Sequence, residues 1–106
     1  MLFELRQYHV LPGQQENWVT CMEQEIIPFQ TSMGMDILGS FVGEDDDSTY
    51  VWIRRFENEE ERLRLYDLVY QSDYWKNEIA PKVPTMLDRE QAKITRLLAT
   101  PASAIQ

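Results

Sequence analysis

Apolar and polar side chains alternate along two stretches of this chain. In Phe3-Glu4-Leu5-Arg6-Gln7-Tyr8 and in Thr49-Tyr50-Val51-Trp52-Ile53-Arg54-Arg55-Phe56 the alternation predicts strands, because successive side chains of a strand point to opposite faces. Parity puts Glu4, Arg6 and Tyr8 on one side of the first strand, and Tyr50, Trp52, Arg54 and Phe56 on one side of the second. The reverse sides carry Phe3 and Leu5, then Val51 and Ile53, which read as a plain core. The charged and aromatic side reads as the lining of a wet pocket.

The first strand, over residues 2–11, stops at the turn pair Pro12-Gly13. Trp18, Met22, Ile26, Phe29 and Met33 recur at three- and four-residue steps and predict a helix over 14–33. Pro28 should kink or split it, and Gly34 should stop it. A second strand covers 35–42, and the polar turn 43–48 joins it to the third as an antiparallel hairpin. Asn58 caps the next helix, with Glu61 in the capping-box position and Glu59 and Glu60 at the positive end of the dipole. Arg62, Leu65, Tyr66 and Val69 share one face of that helix. Ser72 caps a short helix carrying Trp75 and Ile79, broken up by Pro81 and Pro84. A last strand is predicted over 92–98. One domain thus spans 1–98, and 99–106 reads as a loose tail.

The order strand, helix, strand, strand, helix, strand is the ferredoxin-like βαββαβ arrangement of an α+β protein. It implies an antiparallel four-stranded sheet with helices on one face, strands one and three adjacent in the middle. On this reading those two central strands run parallel. The helices cover the side of Phe3 and Val51, and the side of Tyr8, Tyr50, Trp52 and Phe56 stays open. A monomer rarely leaves so large a patch exposed. Two chains are therefore expected to join open faces as a homodimeric barrel with a lumen.

Length and charge narrow the possibilities. The chain has 106 residues, enough for one domain, and a net charge of −8. That charge removes any electrostatic reason to hold nucleic acid or an anionic membrane surface. A single cysteine, Cys21, excludes an internal disulfide and reads as a small buried apolar group. There is no signal-peptide pattern and no segment of bilayer-spanning length, so a cytoplasmic setting is expected.

The candidate chemistry sits on the charged face. Glu4 can neutralise one of Arg6 and Arg54, which leaves the other without a partner, and an unpaired buried charge is costly. An anionic ligand would relieve that cost, held by Arg6 and Arg54, with its ring against Tyr8, Tyr50 and Trp52. The plainer alternative is an interface ion-pair network in a ligandless scaffold. An enzymatic alternative is a cofactor-independent monooxygenase or isomerase, with Arg54 stabilising an enolate and Glu4 or Tyr8 as base. Against it, two nearby arginines would lower the pKa of Glu4 instead of raising it. His9 points away from Glu4, Arg6 and Tyr8 and lacks metal-ligand neighbours, so no metal is expected. Glu44-Asp45-Asp46-Asp47 lacks the spacing of a calcium loop and reads as a solvated hairpin tip. Tyr74 and Trp75 could roof the lumen mouth, although core packing explains them as well. Met22, Met33 and Met35 read as core. No nucleophile–base spacing and no Gly-rich phosphate loop occurs, and no cofactor is expected.

Several of these segments, in this order, resemble the NIPSNAP family. They are Phe3-Glu4-Leu5-Arg6-Gln7-Tyr8 with Leu11-Pro12-Gly13, then Val51-Trp52-Ile53-Arg54-Arg55-Phe56 with Glu61-Arg62, and Val69-Tyr70 with Tyr74-Trp75-Lys76. The resemblance runs from about residue 2 to about 98. It implies the dimeric α+β barrel fold. It implies no particular activity, since related barrel families include cofactor-free monooxygenases, haem-degrading enzymes, isomerases and plain ligand binders. It brings no family-wide catalytic residues with it.

Overall fold

The computed structural model describes all 106 residues. Strand β1 (Leu2–Val10) leads through a long helical segment to β2 (Asp36–Val42), which turns back as β3 (Thr49–Phe56). Helix α3 (Glu59–Tyr70) and a second broken helical segment then lead to β4 (Leu87–Leu97). The sheet order is β2-β3-β1-β4, with every neighbouring pair antiparallel. The βαββαβ order and the α+β class are as the sequence predicts. The pairing of β1 with β3 is antiparallel, not parallel. The crossover from β1 to β2 makes those two strands parallel with a gap between them. The hairpin drops β3 into that gap, pointing against both.

The first helical segment consists of α1 (Gln15–Cys21), a π-helical turn (Met22–Ile26) and α2 (Ile27–Ser32). The proline in the sequence explains the π turn. Pro28 has no N–H to give, and just before it the Ile27 N–H closes five residues back, on the Met22 carbonyl. The second segment repeats the device. A π turn over Trp75–Ile79 ends with the Ala80 N–H on the Trp75 carbonyl, directly before Pro81, and a short α4 (Val83–Met86) follows. Gly13 and Gly34 take positive φ, +76° and +109°, at the turn and the helix stop assigned to them. Asn58 caps α3 by accepting from the Glu61 N–H at 2.8 Å.

Parity along the strands holds. Glu4 stands opposite Arg54, Arg6 opposite Trp52 and Tyr8 opposite Tyr50, all on one side. The layer above that side is the reverse of the expectation. The helices cover the charged and aromatic face. Tyr50, Trp52, Arg54 and Phe56 are all buried, and Trp18, Met22 and Ile26 from the helices share a core with Tyr50 and Trp52. The face without helices carries Phe3, which is buried, and Leu5, Val51 and Ile53, which are half-buried, with residues 97–105 lying against part of it. Area explains the choice. An aromatic side chain withdraws about 150–250 Å² from water. Three of them on one short strand gain far more from helical cover than two aliphatics on the other face. The charges on that face follow the aromatics under the helices because they can satisfy one another there.

β4 begins at Leu87, earlier than the predicted 92. Between Gln7 and His9 of β1 the β4 partners jump from Lys93 to Asp88, so β4 bulges over the intervening residues. Residues 99–106 form turns over the uncovered face. The Arg55 Nη1 donates to the Gln106 carbonyl at 2.7 Å, and the Ser103 N–H to that of Thr100 at 3.0 Å. Cys21 is buried, and burial pushes its thiol up to about 11. His9 is half-buried near the end of β1, between Thr49 and Asp88 in the sheet. Asp46 at the hairpin tip accepts from Ser48 and Thr49. No helix is long and apolar enough to cross a membrane.

Candidate functional site

The deepest polar group is an ion pair. Glu4 and Arg54 are both 0% exposed, and the Arg54 Nη2 donates to the Glu4 carboxylate at 2.8 Å. Arg62, on α3, donates to the other Glu4 oxygen at 2.7 Å. The Tyr66 hydroxyl lies 2.7 Å from both carboxylate oxygens. Arg54 also donates to the Tyr66 hydroxyl at 2.8 Å, to the Tyr70 hydroxyl at 2.9 Å, to the Gln30 amide oxygen at 2.8 Å and to the Met35 sulfur at 3.0 Å. Its guanidinium also packs over the Trp52 ring, 4.6 Å from the centroid. Burial acts to raise the Glu4 pKa. The Tyr66 hydroxyl, the Arg54 charge and the Arg62 hydrogen bond outweigh it and hold Glu4 below the usual carboxylate range.

Five side chains take up the Nη hydrogens of Arg54, and only its buried Nε–H lacks a partner. Arg54 does not line the cavity, so the ligand-holding position expected of it is not where the structure puts it. Glu4 is likewise sealed away from the cavity, and its lowered pKa makes it a weak base, which counts against it as a general base. Tyr50 is buried too, with its hydroxyl 2.5 Å from that of Ser40.

Arg6 is different. It is only half-buried, and unlike Arg54 and Arg62 it pairs with no carboxylate. Its Nε donates to the Tyr8 hydroxyl at 2.7 Å, and its Nη1 reaches the Tyr66 hydroxyl at 3.3 Å. Glu4 does neutralise one arginine of the pair, Arg54, and Arg6 is the one left over. Arg6, Tyr8 and Trp52 line a cavity of about 350 Å³ between sheet and helices. Residues expected in a lumen between two chains thus line a cavity within one.

The helices supply the walls that sequence parity could not show. Trp18, Met22 and Ile26 come from the first segment and Tyr70 and Trp75 from the second. Both π turns contribute, Met22 and Ile26 from one and Trp75 from the other. Trp75 packs against the core, as the plainer expectation had it, and also walls the cavity, while Tyr74 does not line it. The bulge of β4 brings Asp88 and Arg89 to the cavity rim. The indole N–H groups of Trp18 and Trp52 are buried with no oxygen or nitrogen acceptor. The Trp18 ring meets those of Tyr8 and Tyr50 edge to face, with centroids 5.9 Å away in each case. The signal for the helical contributors was present in α3, where Tyr66 and Tyr70 stand one turn apart with hydroxyls aimed at the strand arginines. Gln30 is the lone buried polar residue of its helix.

An arrangement with Arg6 in no ion pair, Arg89 at the rim, aromatic walls and a single lining carboxylate, Asp88, suits binding of an anion attached to a flat apolar body. No group of three or more potential metal ligands gathers anywhere in the chain.

Solved structures with the same architecture include a NIPSNAP family protein from Agrobacterium tumefaciens, 18% identical, with a TM-score of 0.87 over 99% of this chain and 98% of that one. An uncharacterized NIPSNAP domain protein from Burkholderia xenovorans is 14% identical, with a TM-score of 0.84 over 97% of this chain and 98% of that one. An antibiotic biosynthesis monooxygenase is 16% identical, with a TM-score of 0.68 over 95% of this chain and 100% of that one. At these identities the likeness is one of fold. No curated protein matches the chain. Its sequence does match the NIPSNAP family over residues 3–102, nearly its whole length, and the chain belongs to that family.

Proposed function

We propose that this protein binds a small aromatic carboxylate in the cavity between its sheet and its helices. The observation that carries this reading is Arg6. A guanidinium half-withdrawn from water, lining a cavity and in no ion pair, is unfavourable unless an anion completes it, and the one carboxylate of the lining, Asp88, accepts instead from Glu90 and Gln91. Tyr8, Trp52 and Trp75 give flat apolar walls for a ring. The cavity of about 350 Å³ suits a ligand of one or two rings. The chain as a whole is acidic at −8, so any positive character of this spot is local, set by Arg6, Arg54 and Arg62 against Glu4 and, at the surface, Glu59.

The enzymatic alternative is weakened at its best base, because Glu4 is sealed away from the cavity and its lowered pKa makes it a weak base. The protein is therefore proposed to be a ligand-binding member of its family. It is further proposed to act as a homodimer in the cytoplasm. The support for the dimer is the uncovered sheet face, where Leu5, Val51 and Ile53 lie half-buried and Phe41 and Leu97 are exposed.

Isothermal titration against a panel of aromatic acids and their neutral analogues tests the binding. At least one acid should bind, and Arg6→Gln should weaken it about tenfold or more, the worth of a charge-assisted hydrogen-bonded pair. An affinity untouched by Arg6→Gln would show that Arg6 does not hold the ligand.

A further inference from the structure

The same cavity holds a second donor beside Arg6, and with the reading above as its premise it narrows the ligand class. The Tyr8 hydroxyl oxygen accepts from the Arg6 Nε at 2.7 Å. That contact uses a lone pair and leaves the hydroxyl hydrogen free, and no protein acceptor takes it. Tyr50 is matched with Ser40 and Tyr66 is bound to Glu4. Tyr70 accepts from both Arg54 and Gln30, which ties its oxygen to the buried network and away from Arg6, although its hydrogen too has no protein acceptor. The Tyr8 ring is also fixed in place. Trp18 meets it edge to face at 5.9 Å, Tyr50 stacks on it at 6.3 Å and Trp52 lies at 6.4 Å. Its oxygen is therefore held in position, while its hydrogen can rotate about the C–O bond toward the cavity.

Arg6 has spent its Nε on Tyr8 and makes one long contact from Nη1 to Tyr66, so the Nη2 hydrogens are uncommitted. A carboxylate oxygen can take an Nη2 hydrogen on the edge of the guanidinium that carries Nε. The Tyr8 hydroxyl, held at that same edge by Nε, then lies within reach of an oxygen on the carbon next to the carboxylate. We infer that Tyr8 is a ligand-binding donor, and that the cavity selects acids carrying an oxygen acceptor next to the carboxylate, 2-oxo acids and ortho-hydroxy aromatic acids, over plain aromatic acids.

A site that offers a donor discriminates against an analogue lacking the acceptor, because the donor is then left unpaired away from water. Two probe pairs read this directly by calorimetric titration. Phenylpyruvate and 3-phenylpropanoate differ only at the carbon beside the carboxylate, and salicylate and benzoate only in the ortho hydroxyl. The intact protein should prefer the first of each pair by about tenfold. In Tyr8→Phe the two members of each pair should bind alike, whatever common shift the freed Arg6 Nε brings to both, with thermal unfolding confirming that the variant is folded. Equal affinity within both pairs for the intact protein overturns the inference and leaves anion binding standing. So does a preference that survives in folded Tyr8→Phe. Binding of neither acid in either pair overturns the ligand reading itself, and the inference with it.

Discussion

The two faces of one sheet have solved the burial problem in opposite ways. The covered face concentrates aromatic area and charge, and every charge deep within it has partners. Glu4, Arg54, Arg62, Tyr66, Tyr70 and Gln30 form one connected network that reaches from the central strands to two helical segments. The uncovered face is aliphatic and nearly uncharged at its centre, with Leu5 directly opposite Ile53. A face of large aromatics can carry ions inward because cation–π and hydroxyl contacts replace part of the lost hydration. A face of small aliphatics offers no such replacement and stays dry or pairs with another surface. Charge is thus a poor guide to which side of an amphipathic sheet is wet.

The largest expected effect breaks the covered face. Glu4→Gln leaves Arg54 buried without a counter-charge and strips Arg62 of one partner. The loss should be about 3–5 kcal/mol, the usual cost of removing one member of a buried pair. Urea unfolding measures it, and a loss below about 1 kcal/mol would show that the tyrosines alone can hold Arg54. The pH dependence has the matching sign. Glu4 titrates lower in the folded state than its ordinary 4.5, so its stabilisation is present above that value and fades as acid protonates the folded form.

That network also marks the limit of what the sequence could tell. Strand parity, the hairpin, the cap at Asn58 and the element order are local or periodic, and each was legible. The pairing of Glu4 with one arginine, and the isolation of the other, followed from parity and charge. What could not be read was which face the helices choose. Both faces alternate well, and the partners that make Arg54 tolerable in the interior come from α2 and α3, far away in sequence. The bulge in β4 was hidden for a similar reason. Asp88 to Gln91 are polar and look like a loop, and only the ladder on either side shows that the strand continues through them.

A second, smaller effect separates the faces by alkali. Burial pushes the hydroxyls of Tyr50 and Tyr66 up, each from 10.0 to about 12. An unfolded tyrosine loses its proton near 10, while these keep theirs in the folded state. Their contribution is therefore complete below pH 10 and is lost as pH rises through about 12. Both belong to the covered face, and the aliphatic face has no counterpart. The midpoint of urea unfolding should fall across this window, and Tyr50→Phe with Tyr66→Phe should flatten the fall. A fall of the same size in the double variant would place the alkaline weakness elsewhere, with Cys21 the next buried acid to examine.

The smallest effect on the folded chain is expected on the uncovered face, and it sharpens the contrast most. Ile53 sits at the centre of that face, half-buried, opposite Leu5 and beside the turns of residues 99–106. Ile53→Asp places a charge where it can still reach water, so the single chain should lose only about 1 kcal/mol. If two chains meet on this surface, the same charge would be buried twice across the interface, with itself as nearest neighbour, and association would fail. Light scattering after gel filtration should then give a dimer for the parent chain and a folded monomer for Ile53→Asp. An unchanged dimer would move the contact to another surface. A parent chain that runs as a monomer would mean that the aliphatic face stays solvent-facing, and that the helix-covered face meets the needs of the fold alone.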